Sequence, residues 1–189
     1  GLMDEVMRKA LEFLLDARND DGGWSYLIGT QSYPEPTFYS TLAFSGADSS
    51  MSSAVEMTEE GLQWFRTHIN SSGALVLDND KDPHWGNSLA LLALSLLESE
   101  EVLQERCVRF LLSWEGAPLD SDPIAPMDTQ LIGWPWIDST FSWVEPTSYA
   151  ILALKHSGYG AHPRVEQAER LLVDRACVGG GWNYGNRIV

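Results

Sequence analysis

Basic residues are scarce in this chain: 12 Lys and Arg stand against 27 Asp and Glu, a formal charge of −15. Such a surface has no basic stripe to neutralise phosphates, which excludes nucleic acid as a partner and argues against an anionic membrane surface. The same deficit weighs against a dedicated diphosphate pocket unless a divalent metal reverses the local field. Cysteine is nearly absent. Cys107 and Cys177 are the only two in 189 residues, too few for a disulfide framework, and both are expected to be free thiols. Long apolar runs are missing as well: the longest, over 89–97, is nine residues broken by Ser95, far short of the roughly 20 that span a bilayer. No basic leader followed by an apolar segment opens the sequence, so a cytoplasmic location is expected. No Ser/His/Asp order, Walker loop or Rossmann fingerprint appears, which leaves hydrolase, NTPase and dehydrogenase readings without support and predicts no cofactor.

What the chain does have is apolar and aromatic content, 44% hydrophobic with eight Trp, enough to bury one sizeable core. It also has an internal repeat. Glu145-Pro146-Thr147-Ser148-Tyr149-Ala150 opens an apolar helix, because proline fits a first helical turn where its missing N–H has no partner to lose. Glu35-Pro36-Thr37-Phe38-Tyr39-Ser40 copies it closely, and Trp85-Gly86-Asn87-Ser88-Leu89-Ala90 copies it loosely, with Ala43, Ala93 and Ala153 in register at offsets of 50 and 60 residues. A repeat of that length is the mark of stacked helical pairs.

Each apolar helix follows a more amphipathic one. Over 4–18, Val6, Met7, Ala10, Leu11, Leu14 and Leu15 recur at three- and four-residue spacings, and the cluster Asn19-Asp20-Asp21-Gly22-Gly23 stops the helix by supplying positive-φ positions. A second amphipathic helix starts near Met57 with Thr58 as its cap, a third covers 101–114, and a fourth covers about 165–175. Leu14 to Trp24 and Leu172 to Trp182 are both ten residues apart, so the fourth unit repeats the first. Between 115 and 143 lie four prolines and Trp134, Trp136, Phe141 and Trp143 without helical period, a loop of the length that is usually functional. The expectation is one all-α domain over 1–189, with helix pairs at about 4–48, 57–98 and 101–158 and an orphan amphipathic helix at about 165–176. An unpaired end is a physical problem for a repeat array. Three solutions stand: further repeats beyond Val189, a homodimer covering the end, or a last helix packed without its partner.

The apolar helix, the Gly-Gly-Trp turn, the Glu-Pro-Thr opening and the Ala/Leu-rich helix together resemble the repeats of the terpenoid cyclase and protein prenyltransferase superfamily, squalene-hopene cyclases in particular. Phe13-Leu14-Leu15 to Trp24 with Glu35-Pro36-Thr37, Trp136 to Glu145-Pro146-Thr147, and Leu171-Leu172 to Trp182 carry the likeness. The resemblance implies an α/α toroid, here incomplete, around a cavity for an isoprenoid or similar apolar molecule. The superfamily's catalytic motifs are absent. No Asp-x-Asp-Asp occurs, the nearest stretch being Asp78-Asn79-Asp80-Lys81-Asp82, and Asp174-Arg175-Ala176-Cys177 has the wrong spacing for the zinc-binding Asp-x-Cys.

Four acids are candidates for catalysis. Glu35 and Glu145 sit at helix starts, where they either act at a cavity mouth or meet the orphan N–H groups and positive end of a helix. Asp78 and Asp80 belong to the acidic loop. There Asp80, Asp82 and His84 alternate like ligands for a hard cation, although the glycine and bidentate Glu of an EF-hand loop are missing. For ligand binding the candidates are Tyr39 and Tyr149 on the apolar helices, and Trp134, Trp136 and Trp143 in the irregular loop, where aromatic faces offer apolar area and cation–π attraction. Trp24 and Trp182 recur with the repeat and read as packing residues. Two functional readings follow: a cyclase-like or prenyltransferase-like domain that binds an isoprenoid-like molecule, or a non-catalytic module that binds protein or peptide and selects a basic partner through its acidic charge.

Overall fold

The computed structural model describes residues 1–47 and 51–188; the limit of the first expected pair at 48 and the chain end at Val189 lie outside them. The described residues form seven α-helices and isolated β-bridges, with no strand. The helices are α1 (Leu2–Ala17), α2 (Pro34–Ser45), α3 (Ala54–His68), α4 (Gly86–Leu96), α5 (Glu101–Ser113), α6 (Val144–His156) and α7 (Pro163–Asp174). The protein is all-α, and the odd-numbered helices are the amphipathic ones. None of the described helices is long and apolar enough to cross a membrane.

Two helix starts differ in detail from the sequence reading. Thr58 lies inside α3, its hydroxyl donating to the Ala54 carbonyl at 2.8 Å, so it caps nothing. α7 begins at Pro163, with the His162 imidazole as N-cap accepting from the Arg164 N–H at 3.1 Å. Proline occupies the first turn of α2 at both Pro34 and Pro36, as expected of a residue with no N–H to leave unpaired.

The chain divides into two compact units, 1–68 and 69–189. In the first, α2 and α3 pack together, and the core is built on Trp24, Phe44, Ala54 and Met57, with Leu11, Leu14 and Leu15 of α1 laid against it. Gly61 makes the α2–α3 approach possible, because a Cβ there would stand 1.9 Å from the Thr41 hydroxyl. The turn after α1 is held by Asp21, which accepts from Gly23 N–H, the Ser32 hydroxyl and the Trp64 indole N–H.

In the second unit α4 is the centre. Every residue of Gly86–Ser95 is buried, and the helix packs on both α5 and α6, while α7 packs on α6. A helix made mostly of Leu and Ala, without a charged residue, is suited to such burial, and of its polar residues Asn87 and Ser95 bond main-chain groups.

The repeat is visible in hydrogen bonds as well as in helices. Asn19 N–H bonds Gly23 O while Gly22 N–H bonds Asn19 O; Asn70 with Ala74 and Gly73, and Cys177 with Gly181 and Gly180, make the same pair of bonds. Gly22, Gly73 and Gly180 adopt φ of 85°, 89° and 92°, a region L side chains rarely enter. The residue after each turn is Trp24, Leu75 or Trp182. Trp24 and Trp182 donate their indole N–H to the carbonyls of Leu14 and Leu172, ten residues back, at 2.7 and 2.6 Å.

Candidate functional site

Trp134 belongs to this same set. Its side chain is fully buried and its indole N–H donates to the Leu111 carbonyl at 2.9 Å, the bond that Trp24 makes to Leu14. Its main-chain N–H donates to Thr147 Oγ1 at 3.0 Å and its carbonyl accepts from that hydroxyl at 3.2 Å; Trp24 and Thr37 make the same two bonds at 2.9 and 3.3 Å. Leu75 takes the place in the middle copy, with Asn87 bonding both its N–H (2.6 Å) and its carbonyl (3.3 Å). The segment between Leu111 and Trp134 is therefore a repeat turn enlarged by an insertion.

That insertion is closed at its base and tied down near its tip. Gly116 N–H bonds Gly133 O, and Ala117 N–H bonds Thr140 O at 2.7 Å. Arg164, from α7, donates to the carbonyls of Leu112, Trp114 and Gly133 and stacks over Trp134 at 4.3 Å. Burial pulls its guanidinium below the ordinary arginine value, an effect that Glu115 partly offsets. At the tip, the buried Arg175 donates to the Asp128 carbonyl at 3.1 Å and pairs with Asp174, whose carboxylate also accepts from Asp128 N–H.

After Trp134, Trp136 and Trp143 are half-buried and Ile137 and Phe141 are exposed. Trp136, Ile137, Phe141 and Trp143 line a groove of about 570 Å³ with Ser139, Thr140 and Tyr184. Tyr184 arrives from the far end of the chain, its carbonyl accepting from Val144 N–H at 2.9 Å. Gly185 makes room for the ring beneath it, since a Cβ there would lie 2.8 Å from Trp143 Cε3. Behind the groove, Trp136 meets Trp85 edge-on with centroids 5.0 Å apart, and Trp85 meets Tyr149 at 5.5 Å. Two backbone hydrogen bonds join this wall to the segment before α4, Trp85 N–H to Trp136 O (2.8 Å) and Asp138 N–H to Pro83 O (2.8 Å), and together they make the antiparallel bridge between His84 and Ile137.

The structure thus brings Trp136, Trp143 and, through Trp85, Tyr149 into one aromatic system. Tyr39 lies on α2 in the first unit, half-exposed and edge-on to Phe38 at 5.1 Å. Tyr184 was not singled out by the sequence. It stands two residues after the repeat tryptophan Trp182, and Trp136 stands two after Trp134, a spacing that signals an aromatic continuing past each turn.

Among the described residues no acid lines the groove. Glu35, in the first turn of α2, accepts a hydrogen bond from the Tyr26 hydroxyl. Glu145 is exposed in the first turn of α6. Asp78 and Asp80 are exposed in a tight turn closed by paired bonds between Leu77 and Asp80, and Asp80 Oδ1 accepts from the Asp82 N–H at 3.1 Å. His84 is buried with Nδ1 accepting from Gly86 N–H at 3.1 Å, which places its proton on Nε2, an atom that finds no partner. Burial holds its pKa below 6.5, partly offset by the Asp80 carboxylate. Among the described residues no group of three or more His, Cys, Asp or Glu is placed to hold a metal ion.

These observations define the class of the protein as an all-α repeat of paired helices bearing an open aromatic groove. Compared with known proteins, the chain matches no family model and no curated protein sequence.

Proposed function

We propose that the chain is a binding domain of the terpenoid cyclase and prenyltransferase kind, its helix pairs set as part of an α/α toroid, and that its ligand is an apolar small molecule such as an isoprenoid. The observation that carries this reading is the groove of Trp136, Ile137, Phe141, Trp143 and Tyr184, four aromatic rings and one branched aliphatic on a single open surface. Phe141 and Tyr184 are exposed and Trp136 and Trp143 half-buried, and aromatic side chains grouped in this way suit a ligand or partner site. Binding without chemistry is the form of the reading that the acids support, since Glu35, Asp78, Asp80 and Glu145 do not line the groove and no proton donor stands among its lining residues beyond hydroxyl groups.

Native mass spectrometry with farnesol and geranylgeraniol tests the reading. A retained 1:1 mass that Trp143→Ala removes is the expected result, and no retained mass at ligand concentrations up to the solubility limit would sink it.

A second reading, the protein-binding module, has its own observation. α1 buries none of its 16 residues and exposes Leu2, Met3, Val6, Met7 and Phe13, flanked by Asp4, Glu5, Glu12 and Asp16. Leu11, Leu14 and Leu15 stay on the core and Glu5 and Glu12 pair with Lys9 and Arg8, so the exposed apolar residues suit a partner with an apolar surface, and the formal charge of −15 favours a basic one. Cross-linking from a photoreactive residue at Val6 distinguishes the two: capture there without ligand retention at the groove favours the module.

A further inference from the structure

We infer that the end of the ligand seated in the aromatic groove carries a fixed positive charge, in the form of a quaternary or fully methylated ammonium group. The inference rests on the reading of this groove as a binding site and specifies the chemistry it selects.

The first support is the lining itself. Trp136, Phe141, Trp143 and Tyr184 share one groove, and each aromatic face carries a negative potential that attracts a cation within about 6 Å of the ring centre. A methylated ammonium suits such walls because its outer shell is apolar and asks for no hydrogen-bond acceptor. A primary ammonium asks for several, and among the described residues no carboxylate lines the groove. Of the lining hydroxyls, Thr140 donates to the Ile137 carbonyl and Ser139 to Asp138 Oδ2.

The second support is the distribution of charge. No Lys, Arg or His lines the groove. Arg187, the basic residue nearest to Tyr184 in sequence, lines a different surface with Glu166, Glu169 and Asp174 of α7, and Arg164 is occupied by Trp134 and three carbonyls. Acids, in contrast, stand close by in the chain. Asp138 lies between the lining residues Ile137 and Ser139, its carboxylate fixed by the Trp114 indole N–H at 2.9 Å and the Ser139 hydroxyl, and Glu145 is exposed just past Trp143. With a formal charge of −15 on the whole chain, an anionic ligand is repelled, a neutral one gains apolar contact alone, and a cation gains contact and field together.

Choline and its neutral isostere 3,3-dimethylbutan-1-ol separate these terms, since they share shape and differ in charge. The experiment is a proton NMR titration of each with the protein, reading the ring-current shift of the methyl signal. Choline is expected to shift upfield saturably with an affinity about tenfold above that of the isostere. Tyr184→Ala and Phe141→Ala, both at exposed positions, should each weaken it several-fold with the circular dichroism spectrum unchanged. Equal affinities would overturn the inference and leave the apolar-site reading standing. A choline response with no response to the isostere or to farnesol would uphold the inference and remove the isoprenoid. No shift with either probe would overturn both, and a choline shift untouched by both variants would place the cation elsewhere and overturn the assignment to this groove.

Discussion

The Thr147 hydroxyl closes a ring with the main chain of Trp134, accepting from its N–H at 3.0 Å and donating to its carbonyl at 3.2 Å. Both residues are buried to 0% exposure, so neither main-chain group has water as an alternative partner. This relationship, repeated by Thr37 with Trp24, fixes each tryptophan turn to the apolar helix that follows it.

Thr147→Val keeps the shape of the side chain and removes both bonds, leaving the buried Trp134 N–H unpaired while its carbonyl keeps the Trp143 N–H at 3.1 Å. It should cost about 1–3 kcal/mol of stability by urea denaturation, and Thr147→Ser should recover most of that. A valine variant as stable as the parent would show that the ring contributes nothing.

Close approach at two glycines gives a parallel expectation. A Cβ at Gly61 would meet Thr41 Oγ1 at 1.9 Å and one at Gly133 would meet Thr147 Oγ1 at 2.4 Å. Gly61 lies within α3, where alanine is otherwise favoured by about 1 kcal/mol. The clash outweighs that propensity, so Gly61→Ala should destabilise by about 1–3 kcal/mol, the range for overpacked cores. In a Thr41→Ala background, which removes the hydroxyl that alanine strikes, Gly61→Ala should cost less than it does in the parent. A stabilising Gly61→Ala would contradict the close packing of α2 on α3.

His84 makes stability depend on pH. Its native pKa lies below 6.5 because burial disfavours the imidazolium, and Asp80 only partly compensates. The unfolded chain therefore binds the proton more readily than the native one. The stabilisation is complete above pH 6.5 and is lost as the pH falls from there through the native pKa. Protonation would also take Nδ1 away from the Gly86 N–H at the start of α4. His84→Asn, which retains an acceptor and cannot titrate, should flatten the fall in urea midpoint between pH 7.5 and 5.5. Parallel slopes for the two proteins would rule out His84 as the source.

Thiol chemistry offers a further check. Burial pushes the Cys107 thiol up to about 12, leaving almost no thiolate at pH 8. Cys177 is also buried. The native protein should react slowly with a disulfide reagent at pH 8 and both thiols should react promptly in guanidinium chloride, whereas fast native labelling at Cys107 would mean that α5 opens readily.

Much of the fold was legible because periodicity reports local structure. The spacing of Val6, Leu11, Leu14 and Leu15 gives α1, and the Ala/Leu-rich stretch after Trp85, which carries no charged residue, gives the buried helix α4. Trp134 was harder to place. Trp24 and Trp182 announce themselves by a ten-residue distance from Leu14 and Leu172, but the insertion stretches Leu111 to Trp134 to 23 residues and hides the equivalence. The distance from each tryptophan to the threonine that holds it is 13 residues for both Trp24–Thr37 and Trp134–Thr147, and this was the signal available. Asn87 obscured the middle copy, since nothing in composition says that an amide will replace a threonine hydroxyl. Tyr184 joins the groove through a bond to Val144 that spans 40 residues, and contacts of that kind leave no trace in a local pattern.

The proposed ligand site uses Trp136 and Trp143 and leaves Trp24 and Trp134 as packing residues, two roles that 19F NMR of the protein labelled with 5-fluorotryptophan separates. Resonances assigned by single Trp→Phe variants would be followed during titration with farnesol and with choline. The account predicts saturable shifts for Trp136 and Trp143 with at least one of the two probes, and none for Trp24 and Trp134. Shifts at Trp24 or Trp134 with Trp136 and Trp143 unmoved, or no saturable shift with either probe, would contradict it.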